Sequence, residues 1–87
     1  MKLTIEEVIA SVKDELLCYE EGEGLTERWE KEFRQWVERN QGKRKDIALD
    51  KKGLCLKIKD EEEIFEMADA YLDAVAEGST AQYWKEF

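Results

Sequence analysis

The spacing of apolar residues constrains this chain most, because it follows a helical period in three segments and alternates in the segment between the last two. Residues 5–20 predict an amphipathic helix, and residues 27–40 and 61–77 predict two more. Residues 47–58 alternate apolar and polar side chains on either side of a turn at 50–53, which predicts a β-hairpin. The predicted fold is therefore a small α+β domain of three helices, with a two-stranded antiparallel hairpin between helices 2 and 3 (α-α-β-β-α).

Sequence signals at the ends of these segments support the assignment. Thr4 and Glu7 have the spacing of a capping box before the first helix. Thr26 is the predicted N-cap of the second helix, and Gly53 suits the left-handed position of a three-residue hairpin loop. A chain of 87 residues is long enough for one core only, so we predict a single domain that spans residues 1–87.

The residue types that are absent from the sequence exclude several classes of site. Two cysteines without any histidine cannot supply the four ligands of a structural zinc site, and no histidine base is present for catalysis. The glycines form no phosphate-binding loop, and no acidic segment matches a calcium loop. We therefore predict that the protein is not an enzyme and has no cofactor and no metal site. Cys18 and Cys55 form no Cys-X-X-Cys motif and are predicted to be reduced thiols.

The first residues of the sequence predict neither secretion nor insertion into a membrane. Two acids interrupt this segment before any apolar run develops, which is unlike a signal peptide. No apolar run approaches the ~20 residues that a membrane-spanning helix needs. We expect a cytoplasmic protein that makes no contact with a membrane.

Charge is distributed unevenly along the chain, whose net charge is −8. Residues 1–42 carry six basic and eleven acidic side chains, and residues 60–87 carry one basic and nine acidic side chains. Residues 43–59 carry seven basic and two acidic side chains. A basic hairpin is therefore predicted between two acidic helical segments.

The third predicted helix has the most informative pattern of charge. Four acidic side chains recur at positions i, i+4, i+7 and i+11, which aligns them opposite the apolar stripe that contains Phe65. No lysine or arginine occurs between Asp60 and Trp84. Either this face is only solvated, or its carboxylates stand in for a nucleic-acid backbone and dock on a basic protein. The predicted partner-binding residues are Glu62, Glu66, Asp69 and Asp73, with Glu20, Glu21 and Glu23 as an extension of the acidic surface.

The basic segment allows two interpretations. Its basic residues are Lys43, Arg44, Lys45, Lys51, Lys52, Lys57 and Lys59. Such clusters occur in nucleic-acid-binding wings, but lysines on edge strands also prevent aggregation between strands. The acidic flanks and the net charge of −8 repel phosphate groups. Direct nucleic-acid binding is therefore disfavoured, and an intramolecular or edge-protecting role is favoured.

Residues 79–87 form a short aromatic C-terminal tail that contains Tyr83, Trp84 and Phe87. This tail either folds back onto the core or offers an aromatic surface to a partner, because tryptophan and tyrosine are frequent anchors of interfaces. In the second case the three aromatic side chains and Leu17 would form the hydrophobic contact of a homodimer.

Taken as a whole, the sequence favours a non-enzymatic protein-binding module, an intracellular inhibitor or adaptor that docks on a basic, nucleic-acid-binding protein. Its small size, its acidity and its lack of catalytic machinery resemble the profile of small phage-encoded anti-defence proteins, such as anti-CRISPR and DNA-mimic proteins. The resemblance covers no motif, so it implies no functional residues. Two alternatives stay open: a self-associating structural or assembly protein, and a small DNA-binding regulator that uses the basic hairpin as a wing.

Overall fold

The computed structural model describes residues 1–87 and contains four helices and one three-stranded antiparallel sheet. The helices are α1 (Ile5–Leu17), α2 (Thr26–Asn40), α3 (Glu61–Ala76) and α4 (Ala81–Glu86). The strands are β1 (Lys2–Thr4), β2 (Ile47–Asp50) and β3 (Gly53–Lys57), and one 3₁₀ turn, Glu20–Gly22, lies between α1 and α2. The predicted α+β class is confirmed. None of the helices combines the length and the apolar character that crossing a membrane requires.

The predicted two-stranded hairpin is part of a larger sheet, with the strand order β1-β3-β2. Strand β1 pairs with β3 and places Leu3 opposite Leu56. Met1 and Ile58, which are 57 positions apart in sequence, extend this ladder with a hydrogen bond of 2.7 Å in each direction. The predicted hairpin is therefore present as β2 and β3, and the sequence analysis missed β1, because a strand of three residues is too short to show an alternating pattern. A third strand also supports the hairpin, which alone is marginal in water.

The ends of the elements follow the predicted signals in part. Thr4 Oγ1 accepts a hydrogen bond from the N–H of Glu7 at 3.1 Å, and the Thr4 N–H donates to Glu7 Oε1 at 2.9 Å. The predicted capping box is therefore confirmed. The predicted N-cap at Thr26 is wrong, because α2 starts one residue earlier than expected and Leu25 takes the cap position without a side-chain bond.

The turn of the hairpin differs from the sequence prediction by one residue. Asp50 pairs with Gly53 across the ladder, so Lys51 and Lys52 form a two-residue loop instead of the predicted three-residue loop. Gly53 has the predicted left-handed conformation, with φ +114°. A two-residue loop whose flanking glycine relieves the backbone gives a tight turn, which carries both lysines at its tip.

The core lies between α1 and the elements around it, because α1 contacts the sheet, α2 and α3. Val8, Val12 and Leu16 of α1 are completely buried, as are Trp29 and Phe33 of α2. The indole of Trp29 stacks on the Phe33 ring at a centroid distance of 4.7 Å. The aromatic stripe of the second helix is therefore core, as expected from its spacing with other apolar residues.

The C-terminal tail is helix α4, and it folds back onto the core. Tyr83 is buried, and its hydroxyl accepts a hydrogen bond from Trp29 Nε1 at 3.1 Å and donates to the carbonyl of Met67 at 2.9 Å. Trp84 and Phe87 are half-buried against the same cluster. The first of the two alternatives for the tail is the one that the structure adopts. Leu17, the fourth member of the proposed hydrophobic contact, stays 55% exposed.

Candidate functional site

The four carboxylates predicted on one face of α3 are all exposed. The opposite side of the helix carries its four buried side chains, Ile64, Met67, Ala68 and Tyr71. Asp60 caps the helix by accepting a hydrogen bond from the N–H of Glu63 at 3.1 Å, which fixes where the helix begins and hence which residues face outward. We refer to Glu62, Glu66, Asp69 and Asp73 as the acidic face.

No basic side chain of the molecule neutralises the acidic face. None of its four carboxylates takes part in an ion pair or in a side-chain hydrogen bond. By contrast, several acidic side chains of α1 and α2 do form ion pairs. Lys13 lies 2.8 Å from Glu30, and Arg34 bonds both Glu30 and Glu6. Two basic side chains, Lys13 and Arg34, thus neutralise acids between α1 and α2.

The turn after α1 carries further acidic side chains towards the acidic face. Glu21 lines the same surface groove as Asp69 and Asp73, together with apolar side chains of α3 and of the turn. Glu20 and Glu23 are neighbours of Glu21 in the turn and are also exposed. The structure therefore brings Glu21 to the predicted surface, whereas Glu20 and Glu23 do not line this groove.

Two aromatic side chains lie beside these carboxylates. Phe65, which belongs to the apolar stripe in the sequence, is 48% exposed and lies among Glu61, Glu62 and Glu66. Its ring is 6.4 Å from the ring of Tyr19. Partial burial and then the negative charge of the nearby Asp69 carboxylate raise the pKa of the Tyr19 phenol. The acidic face is therefore flanked by an aromatic edge.

Glu32 has a structural role that the sequence does not reveal. Its Oε1 atom accepts hydrogen bonds from Trp84 Nε1 at 2.7 Å and from the Tyr71 hydroxyl at 3.2 Å. Its Oε2 atom accepts from Arg28 Nε at 3.0 Å. In the sequence Glu32 is one of several acids of a charged helix face, and no local signal links it to residues about 40 to 50 positions away.

These hydrogen bonds decide the ionisation of Glu32. Burial by itself raises the pKa of this carboxyl, but the hydrogen bonds, of which that from Trp84 has the largest effect and that from Arg28 the next, outweigh burial and lower its pKa. In the folded protein at neutral pH the carboxylate is therefore charged, and it joins α2 to α3 and α4.

The basic segment divides into paired and unpaired side chains. Arg44 forms an ion pair with Asp46 at 3.0 Å, and its guanidinium lies 4.9 Å from the centre of the Trp36 ring. Lys2 pairs with Asp50 at 3.2 Å. The two acids of the segment are thereby neutralised. The six lysines, all exposed and without an ion pair, are Lys43, Lys45, Lys51, Lys52, Lys57 and Lys59.

The two thiols do not meet. Cys18 is exposed at the end of α1 and Cys55 is buried in the central strand, and both are free. No group of three or more acidic or thiol side chains is arranged to hold a metal ion. The candidate surfaces of the molecule are therefore the acidic face and the basic hairpin.

The ion pairs predict how stability depends on pH. Hydrogen bonds from Lys13 and Arg34 lower the pKa of Glu30, and the bond from Arg34 lowers the pKa of Glu6. A lowered folded-state pKa means that this stabilisation is complete above the unfolded value of about 4.5 and is lost as the pH falls through the folded value. We expect the urea midpoint to fall steadily below about pH 4.5, and to fall less in Glu30→Gln. An equal slope in Glu30→Gln would contradict the assignment.

Comparisons with known proteins do not assign the chain to a family. No family model matches the sequence, no curated protein matches it, and no solved structure matches the fold. The functional argument therefore rests on the residues of the chain itself.

Proposed function

We propose that this protein is a non-enzymatic protein-binding module, an inhibitor or adaptor of the DNA-mimic type that docks through the acidic face on a basic, nucleic-acid-binding protein. The observation that carries the proposal is that four aligned carboxylates stay exposed and unpaired, although the chain has fourteen basic side chains. Like charges at i,i+4 destabilise a helix by about 0.2–0.5 kcal/mol per pair. An arrangement that costs stability and leaves the charges free suits a partner that supplies the missing cations.

The dimensions of the acidic face suit a groove that holds a nucleic-acid strand. Glu62 and Asp73 are eleven residues apart, which corresponds to about 16 Å along the helix axis. A lysine- and arginine-lined groove would be attracted over a distance of about 10 Å at moderate ionic strength, and this attraction weakens with salt. Phe65 adds an exposed aromatic side chain beside the charges, and aromatic side chains are frequent anchors of interfaces.

The two alternatives from the sequence have less support. Self-association through the aromatic tail would need Tyr83, Trp84 and Phe87 on the surface, whereas Tyr83 is buried and the other two are half-buried. A DNA-binding wing would use the hairpin lysines, which are exposed, but the acidic flanks of the same small molecule repel phosphate.

The experiment that tests the proposal compares two variants with the same net charge. E66Q/D69N removes two charges from the centre of the acidic face, and E27Q/E38Q removes two from α2. Immobilised protein is exposed to a nuclease-treated lysate of its native host, and the retained basic protein is purified and titrated. We expect E66Q/D69N to weaken binding about tenfold, because about 1.4 kcal/mol of charge contacts is lost, and E27Q/E38Q to bind as the parent does.

A more extreme variant separates binding from folding. Replacing all four carboxylates by lysine should abolish binding, and replacing them by the neutral amides (E62Q/E66Q/D69N/D73N) should also raise the free energy of unfolding, because repulsion within α3 is removed. Weaker binding together with higher stability cannot result from misfolding. Equal loss of binding in E27Q/E38Q and E66Q/D69N, or undiminished binding by the lysine variant, would reduce the acidic face to a solubilising surface.

A further inference from the structure

Strand β2 is an open edge of the sheet. Its ladder to β3 includes the hydrogen bond from the Lys57 N–H to the Asp46 carbonyl, so Asp46, Ala48 and Asp50 turn their main-chain groups towards β3. Ile47 and Leu49 alternate with them and turn theirs away from the sheet. The Ile47 N–H donates to the Arg44 carbonyl in a turn. The free edge therefore offers the carbonyl of Ile47 and both the N–H and the carbonyl of Leu49.

The opposite edge of the sheet is closed by the start of α1. In β1 the outward main-chain groups belong to Lys2 and Thr4, because Met1 and Leu3 pair with β3. The Thr4 N–H donates to Glu7, and Thr4 is the N-cap of α1. Only Lys2 is left at that edge. The two edges therefore differ, and β2 is the one with room for another strand.

The side chains around the open edge are apolar at its centre and basic at its ends. Leu49 is 78% exposed, the highest value among the large apolar side chains, and the preceding Ala48 is exposed on the opposite face of the strand. Lys45 precedes the strand and Lys51 follows it, and neither forms an ion pair. Asp46 and Asp50 are neutralised by Arg44 and Lys2, so the edge has a positive charge at both ends.

We propose that the β2 edge binds an extended acidic peptide segment of another protein, which adds to the sheet as a fourth strand. Such a strand would pair its main chain with Leu49 and Ile47, cover the Leu49 side chain, and place its carboxylates near Lys45 and Lys51. This surface has the opposite charge from the acidic face and does not depend on the function proposed for that face. The protein would thereby have two binding surfaces, one for basic and one for acidic partners.

The charges disfavour a second copy of the chain in the register that is centred on Ala48. Antiparallel pairing of two copies centred on Ala48 would set Lys45 of one against Lys51 of the other, and Asp46 against Asp50. Like charges directly opposite each other destabilise a strand pair, and lysines at an edge are a known device against self-pairing. A nucleic acid would use the lysines, but it would leave the main-chain groups and the Leu49 side chain without partners.

The test uses a capped heptapeptide of alternating glutamate and valine as the probe, with a lysine–valine heptapeptide for comparison. Titration into ¹⁵N-labelled protein at low salt should shift the amide signal of Leu49 and slow its exchange with solvent. K45E/K51E should weaken binding by about tenfold or more. K31E/K85E, which changes two exposed and unpaired lysines on α2 and α4 by the same charge, should bind as the parent does.

A second variant tests the main-chain contact itself. Leu49→Pro removes an N–H that makes no ladder bond, which an edge strand tolerates, and it should abolish the shifts that the peptide causes in the other amide signals of β2. If this variant does not fold, K45E/K51E still decides. Equal binding of the lysine–valine peptide would overturn the proposal. So would binding of an oligonucleotide in place of the acidic peptide, self-association that depends on Leu49 in sedimentation, or the absence of any peptide binding.

Discussion

Replacing Glu32 by alanine is expected to lower the free energy of unfolding by roughly 3 kcal/mol, because the donors of the half-buried Trp84 and the buried Tyr71 lose their acceptor. An unsatisfied buried donor costs about 1–3 kcal/mol, and hydrogen bonds to a charged group are at the upper end. For a domain of this size the loss corresponds to a decrease in Tm of roughly 12–24 °C. Thermal unfolding followed by circular dichroism measures the change.

A matched control for this prediction lies on the same helix. Glu38 is exposed on α2 and forms no ion pair, so Glu38→Ala should change the free energy of unfolding by less than about 0.5 kcal/mol. Glu32→Gln retains one acceptor oxygen and should lie between the two. If Glu32→Ala is no more destabilising than Glu38→Ala, the hydrogen bonds from Trp84 and Tyr71 do not hold α4 to the core.

Replacing Gly22 by alanine is the second change with a large expected effect. A Cβ atom at this position would lie 2.0 Å from the carbonyl oxygen of Leu16, and a main-chain oxygen cannot rotate away as a side chain can. The 3₁₀ turn must move away from the end of α1, and we expect a loss of about 3 kcal/mol, at the upper end of the effect of overpacking. Because this turn carries Glu21, the change should also displace Glu21 from Asp69 and Asp73.

Gly24 provides the control, only two positions further on. A Cβ atom there meets nothing within 4 Å, and Gly24 does not have a left-handed φ. Gly24→Ala should therefore stabilise the protein by roughly 0.4–1 kcal/mol, since alanine restricts the unfolded chain. Urea denaturation of the two variants should give changes of opposite sign, and two changes of the same sign would contradict the packing of the turn against α1.

The acidic face and the β2 edge give the molecule two surfaces of opposite charge. The ion pairs inside the protein explain why both stay available, because Lys13, Arg28 and Arg34 neutralise acids of α1 and α2. An adaptor of this kind would connect a basic protein to an acidic one. The two proposals are tested by different variants, so either can fail without the other.

Local sequence determined much of the fold. The helical period predicts α1 and α3 and the capping box at Thr4 marks the start of α1, because these interactions join residues only a few positions apart. The same locality explains why the alignment of Glu62, Glu66, Asp69 and Asp73 was predictable. Spacing along one helix is enough to place four side chains on one face.

Only the tertiary structure decided which of these residues have partners. Pairing of β1 with β3, the contact of Glu32 with Trp84, and the close approach of Gly22 to Leu16 all depend on how the elements pack against one another. In the sequence Gly22 and Gly24 look alike, and Glu32 looks like Glu38. The absence of ion pairs at the acidic face is also decided by the tertiary structure, since it depends on where the lysines of a distant hairpin lie.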